Sequence, residues 1–152
     1  MQMQKIESFK VIGIAIRTTN QNGQAAQDIP KLWSQFMSNH VLEQIPSKIS
    51  NDIYCLYTKY ESDFMAPYTT VLGCKVSSLE TVPDHMEGIE INGGNYTKFE
   101  AQGDLNQGIV INKWKEIWKT ELDRVYTTDF EIYGERAKNP NDAHVDIYIA
   151  IK

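Results

Sequence analysis

Apolar residues recur along this chain in two rhythms, one suited to strands and one to helices. The run Phe9 to Arg17 (FKVIGIAIR) is rich in Val and Ile and predicts a buried strand. After a polar loop, Ile29, Leu32, Trp33, Phe36 and Met37 recur at helical spacing and form one apolar face. Asp28 is the predicted N-cap of that helix, with Pro30 in its first turn. Ile53 to Tyr60 and Tyr68 to Ser77 read as strands around the loop SDFMAP. Gly88 to Asn92 and Asn95 to Ala101 are strand-like on either side of Gly93-Gly94, a bulge or tight-turn signal. Asp104 caps a second predicted helix, whose apolar face is Val110, Ile111, Trp114, Ile117, Trp118 and Leu122. Phe130 to Gly134 and His144 to Ile151 are the last strands, joined by the turn-rich ERAKNPNDA.

The order strand, helix, strand, strand thus occurs twice, which points to an internal duplication. Tyr54-Cys55-Leu56-Tyr57 aligns with Phe130-Glu131-Ile132-Tyr133. The distance from Tyr57 to Val76 equals that from Tyr133 to Lys152, and Ile6 and Ile91 each precede a short break and a long strand. The expected fold is α+β: two βαββ halves related by a pseudo-twofold, antiparallel sheets, one main helix per half and a groove between halves. One domain is expected over residues 1–152. Its halves span about 1–78 and about 88–152, with a polar, Pro83-containing linker over about 79–87.

Strand alternation then sorts the side chains. The expectation for the last hairpin is that Phe130, Ile132, Ile147, Ile149 and Ile151 face the helix. Glu131, Tyr133, Tyr148 and Ala150 then take the other face, with Cys55, Tyr57, Leu72 and Cys74 at the matching positions of the first half. Counting inward from SDFMAP pairs Tyr57 with Leu72 and Cys55 with Cys74. A carboxylate among aromatic rings is suited to bind a small molecule, since ring faces attract cations and a partly dry carboxylate supplies a countercharge. The same pattern also fits a solvated Glu131 on an open sheet face, shielded by tyrosines. Trp33, Trp114 and Trp118 read as core residues, with Trp114 also able to reach a groove edge.

Composition narrows the function. The net charge is −5, and no Lys/Arg-rich stripe or recognition-helix pattern is present, which argues against nucleic-acid binding. The polar N-terminus lacks the apolar stretch of a signal peptide, no run is long enough to span a membrane, and two cysteines are too few for a disulfide framework. A reduced, cytoplasmic protein is the expectation. His144 and Asp146 alternate onto one strand face, but two ligands make a poor metal site. No nucleophile elbow, phosphate-binding glycine loop or CxxC is present, and no metal or cofactor is expected.

The segments GIEINGGNYTKFEAQGD and DFEIYGERAKNPNDAHVDIYIAIK, with the tryptophan-bearing helix between them, resemble the GyrI-like small-molecule-binding domains. That family includes the effector-binding domains of AraC-type and MerR-type multidrug regulators and the gyrase inhibitory protein. The resemblance covers essentially the whole chain. It implies that Glu131, the glutamate of the F-E-x-Y strand, contacts bound and often cationic ligands in a groove between the halves. It implies aromatic partners at Tyr148 and also at Tyr57, Tyr96 and Tyr133. Relatives often carry proline where this chain has Ala150. The expectation is that the two halves use up the sequence, without the separate DNA-binding domain of the regulators. A stand-alone protein that sequesters or senses small, cationic or aromatic molecules is the first expectation. A hydrolase of electrophilic compounds with Glu131 as general base is the alternative. A protein-inhibitor module is the second alternative, although no exposed patch indicates a protein partner.

Overall fold

Branched residues in the alternating segments build strands, and the two amphipathic segments build helices, in the order β1 (Met3–Ile6), β2 (Phe9–Thr18), α1 (Gln24–Ser38), α2 (Val41–Gln44), β3 (Ile53–Thr58), β4 (Tyr68–Val76), β5 (Glu87–Ile91), β6 (Gly94–Gly103), α3 (Ile109–Lys119), β7 (Thr128–Tyr133) and β8 (Ala143–Ile151). The computed structural model describes residues 3–152. Among them no helix is long and apolar enough to cross a membrane.

All strands pair antiparallel in one eight-stranded sheet, ordered β1-β6-β8-β7-β3-β4-β2-β5. Exchanging the halves, so that β1 becomes β5 and β3 becomes β7, turns this order into its own reverse. That is the pseudo-twofold, and it runs through the β3–β7 seam, where Cys55 pairs with Glu131. The halves exchange their first strands, since β1 pairs with β6 and β5 with β2. The β1–β2 and β5–β6 links cross closely. Gly93 N–H donates to Ser8 Oγ at 3.0 Å, and a Cβ on Gly93 would lie 2.5 Å from the Ile6 carbonyl oxygen, so only glycine fits at this crossing.

Helix α1 starts a turn earlier than the predicted cap at Asp28. That carboxylate instead accepts from Thr18 Oγ1 at 2.9 Å and Gln24 Nε2 at 3.1 Å, tying the helix to the end of β2. Pro30 therefore lies inside α1, on its exposed side, where the Ala26 carbonyl it leaves unpaired is open to water. Asp104 caps a short 3-10 turn, Leu105–Gln107, before α3, accepting from Asn106 N–H. Leu122 lies beyond α3 yet packs against its cluster.

One sheet face meets the helices. Leu32 and Phe36 of α1 cover Ile12, Cys55, Leu72 and Cys74, while Trp114 and Ile117 of α3 cover Ala101, Val145, Ile147 and Ile149. Tyr57 and Tyr133 touch both clusters. The other face packs Phe9, Val11, Leu56, Tyr96, Phe130 and Ala150.

Two registers differ from the sequence expectation. Cys55 pairs with Leu72 and Tyr57 with Thr70, so the two cysteines sit diagonally on one face rather than opposite each other, both reduced and buried. Glu131 pairs with Ile147 and Phe130 with Tyr148. Directly paired residues share a face, so Glu131 lies with Ile147 and Ile149 under the helices, and Tyr148 lies with Phe130 on the far side. Alternation fixes relative facing within a strand, but the turn fixes it between strands, and a one-residue slip inverts the assignment.

Gly13 and Gly73 pair directly across β2 and β4, where a Cβ on Gly13 would fall 2.0 Å from the Leu72 carbonyl oxygen. Gly13→Ala must push the strands apart and is expected to cost at least about 2 kcal/mol in urea unfolding. A loss within about 0.5 kcal/mol, the range of an ordinary surface change, would show that the strands separate freely.

Candidate ligand-binding site

The pleat of β7 sends Glu131 and Tyr133 to the helix side, and that of β3 sends Cys55 and Tyr57 to the same side across the seam. Glu131 is 1% exposed. Its Oε1 accepts from the Tyr133 hydroxyl at 2.7 Å, and its Oε2 accepts from the Tyr57 hydroxyl at 2.8 Å and from Trp114 Nε1 at 2.6 Å. The two tyrosines are pseudo-equivalent, so the duplicated hydroxyls converge on a single carboxylate that stands where the first half has Cys55.

Each tyrosine is covered by a tryptophan from the other half. Trp33 of α1 meets Tyr133 edge-on at 4.8 Å, and Trp114 of α3 meets Tyr57 edge-on at 5.2 Å. Phe64, from the SDFMAP loop of the first half, stacks on Trp118 of α3 at 5.4 Å with the planes 9° apart. Asn20 Nδ2 holds this loop by donating to the Phe64 carbonyl at 2.6 Å. Tyr68 packs edge-on against Tyr57. Thr70, opposite Tyr57, is fully buried and its hydroxyl has no partner among the described residues. Between α1 and α3 these side chains therefore form a packed aromatic enclosure with a carboxylate at its floor and a spare hydroxyl in its wall.

Burial pushes the Glu131 carboxyl above its ordinary value, opposed by the bonds from Tyr133, Trp114 and Tyr57. No Lys or Arg acts on it among the described residues. Asp129, two residues earlier on the same face, differs. It is also fully buried, but its Oδ2 accepts from Arg124 Nη2 at 2.7 Å and the Tyr60 hydroxyl at 2.6 Å, and its Oδ1 accepts from Ala150 N–H at 2.8 Å. The fold thus supplies a cation to one of two buried acids and leaves the other with neutral donors alone. Burial also holds the hydroxyls of Tyr57 and Tyr133 well above the usual phenol value, so both remain donors at neutral pH.

Four of the six residues predicted from sequence meet here: Glu131, Tyr133, Tyr57 and Trp114. Tyr148 and Tyr96 do not. Tyr148 stacks on Phe130 at 4.9 Å on the far face, and Tyr96 is buried there with its hydroxyl donating to the Thr128 carbonyl. Trp33, Trp118, Phe64, Tyr68 and Thr70 were missed. Trp33 and Trp118 sat on apolar helix faces and read as core, whereas a Phe inside the polar loop SDFMAP was a usable signal. His144 instead meets Arg136, and Asp146 meets Lys98 at 3.7 Å.

Residues 2–151 match the family described as Cass2, integron-associated effector binding protein. The chain is 33% identical over 146 residues to YobU of Bacillus subtilis (strain 168), provisionally named a transcriptional regulator protein, covering 92% of this chain and 90% of that one. An integron cassette protein from the mobile metagenome of Vibrio cholerae superposes with a TM-score of 0.76 at 31% identity, over 99% of this chain and 95% of that one. The structure of SAV2435 bound to tetraphenylphosphonium superposes with a TM-score of 0.79 at 18% identity, over 99% and 93% of the two chains, which shows the shared fold. With the palindromic sheet and the family match over nearly its whole length, this chain belongs to the Cass2 family of integron-associated effector-binding proteins, built on the GyrI-like fold.

Proposed function

We propose that the chain is a cytoplasmic multidrug-type binding protein that takes a lipophilic aromatic cation between α1 and α3, above Glu131. The observation that carries this reading is the buried, unpaired carboxylate of Glu131, set beside an Asp129 that already has its arginine. A buried anion without a cation is costly, and a ligand that supplies the missing charge recovers part of that cost. The surrounding rings give apolar area and electron-rich faces to the same ligand. The tetraphenylphosphonium bound by SAV2435 is of this chemical class. In the described state the enclosure is packed with its own side chains. Entry of a ligand then requires Trp33, Trp118 or Phe64 to swing aside. Both carboxylate oxygens are engaged by donors, which suits a fixed countercharge better than a general base.

Tetraphenylphosphonium titrated calorimetrically is expected to bind saturably and to quench tryptophan fluorescence, and triphenylphosphine oxide, similar in shape but uncharged, should bind more weakly. Equal affinity for the two, or no binding, would end the reading. A bound cation favours the ionised carboxylate, whose pKa burial has raised. Cation affinity should therefore fall as pH is lowered through that raised value, and binding near it should release protons. Titrations in buffers of different ionisation enthalpy would measure the release. An affinity flat down to the ordinary carboxyl range would separate binding from Glu131.

A further inference from the structure

The duplication provides an internal comparison for the floor of the enclosure. Tyr57 and Tyr133 occupy equivalent places under the pseudo-twofold, and so do the tryptophans set edge-on against them, Trp114 at 5.2 Å and Trp33 at 4.8 Å. The axis passes between Cys55 and Glu131, which pair directly across the seam and are 0% and 1% exposed. Walls that match in pairs therefore stand around a floor that does not match. One twin position holds a carboxylate and the other a thiol.

Burial and the neighbouring Glu131 push the Cys55 thiol well above its ordinary value, against a hydrogen bond with Tyr57, so it stays neutral. The other acids nearby add no free charge to the floor. Asp129 is held by Arg124 Nη2 at 2.7 Å. Asp28 lies near the start of α1, partly exposed, where Thr18 Oγ1 and Gln24 Nε2 donate to it. Among the described residues the buried floor thus carries one negative charge without a cation. A first positive charge placed there meets Glu131. A second on the same ligand would lose its water and meet only rings, hydroxyls and a thiol, and an unpaired charge is costly in such surroundings.

We propose that Cys55 is a specificity-determining residue of this site: its neutral thiol, at the twin position of Glu131, limits the floor to one negative charge, so the enclosure takes aromatic monocations and rejects aromatic dications of the same size. This selection presupposes a cation held above Glu131, and adds to it the charge number of the ligand and the residue that sets that number. Charge balance makes the choice, not shape, so probes that differ mainly in charge separate the two classes.

The probes are N-methyl-4-phenylpyridinium and methyl viologen, two-ring cations of nearly equal size with one and two charges. Each is titrated calorimetrically into the full chain, with displacement of tetraphenylphosphonium to place it in the enclosure. The monocation is expected to bind at least about tenfold more tightly, since the second charge of methyl viologen has no partner. Cys55→Asp, which nearly conserves volume, should shift the ratio of the two affinities toward methyl viologen by about tenfold or more. Adding Glu131→Gln to it returns the floor to one charge and should bring the ratio back toward wild type, whereas Cys55→Asn alone should leave the ratio in place. If two buried acids unfold the Cys55→Asp chain, methyl viologen should restore its circular dichroism and the monocation should not, because only the dication pairs both. Equal affinities in the wild type, a ratio unmoved in Cys55→Asp, no rescue of an unfolded variant by the dication, or failure of both probes to displace tetraphenylphosphonium would overturn the role of Cys55. Failure of tetraphenylphosphonium itself to bind is a different result, which overturns the cation reading and this selection with it.

Discussion

Glu131→Gln is expected to weaken tetraphenylphosphonium binding by about 2 kcal/mol, roughly thirty-fold, while making the fold more stable at neutral pH. The two effects have one cause. Glutamine keeps the shape of the side chain and can keep its bonds, with its oxygen accepting from Tyr57 and Trp114 and its amide donating to a Tyr133 hydroxyl that has turned to accept. Only the charge is lost. Triphenylphosphine oxide, which does not use that charge, should bind the variant nearly as well. For stability the sign follows from the raised pKa: the folded state holds the Glu131 proton more tightly than the unfolded chain does. Wild-type stability therefore rises as pH falls from the raised folded value toward the ordinary carboxyl value, and gains nothing further below it. The variant lacks this term, so its advantage should be largest near neutral pH and shrink on acidification. Urea unfolding of both proteins at several pH values measures the gap. A variant that binds the cation as well as wild type would return Glu131 to a structural role. A variant less stable than wild type at neutral pH would show that the three donors outweigh the burial cost.

The other buried acid should respond in the opposite sense. Arg124→Met is expected to cost about 3–5 kcal/mol, because it removes the guanidinium that opposes the effect of burial on the Asp129 carboxyl and leaves that acid buried without a cation. The Arg124 side chain is 6% exposed and the Asp129 side chain 0%, so water replaces little of the lost contact. Arg124 also lies over the Tyr126 ring at 4.3 Å and bridges to Ile151, so the segment after α3 is anchored to β8 through this pair. Adding Asp129→Asn should recover much of the loss, since it removes the buried charge while its amide oxygen can still accept from the Ala150 N–H. The midpoint of urea unfolding distinguishes the cases, and a single variant within about 1 kcal/mol of wild type would show that the pair is screened like a surface bridge. The contrast between the two acids is the one on which the binding-site reading stands: removing charge at Glu131 relieves the fold, and removing the countercharge at Asp129 damages it.

Local patterning carried much of this structure. FKVIGIAIR and the paired hairpins gave β2, β3, β4, β7 and β8, because short runs of branched and aromatic residues bounded by turn signals mark buried strands. The match of Tyr54–Tyr57 with Phe130–Tyr133 revealed the pseudo-twofold, because duplicated halves retain their spacing. Alternation also grouped Glu131 with Tyr133, and Cys55 with Tyr57, since these relations lie within single strands. The face those residues would occupy was not legible. It depends on the pairing of Glu131 with Ile147, which the connection of residues 134–142 sets, and a slip of one residue there gives the inverted assignment. The walls of the site were not legible either. Trp33, Trp114 and Trp118 carry the helical spacing of core residues, and they become a lining only because α1 and α3 flank a seam formed by β3 and β7, strands about seventy residues apart. The partners of the two acids were decided in the same way. Arg124 is a near neighbour of Asp129 along the chain, yet the spacing does not say that its guanidinium reaches Asp129 and not Glu131; the segment after α3 has to fold back on β7 and β8 first, while Tyr57 and Trp114 come to Glu131 from distant parts of the chain.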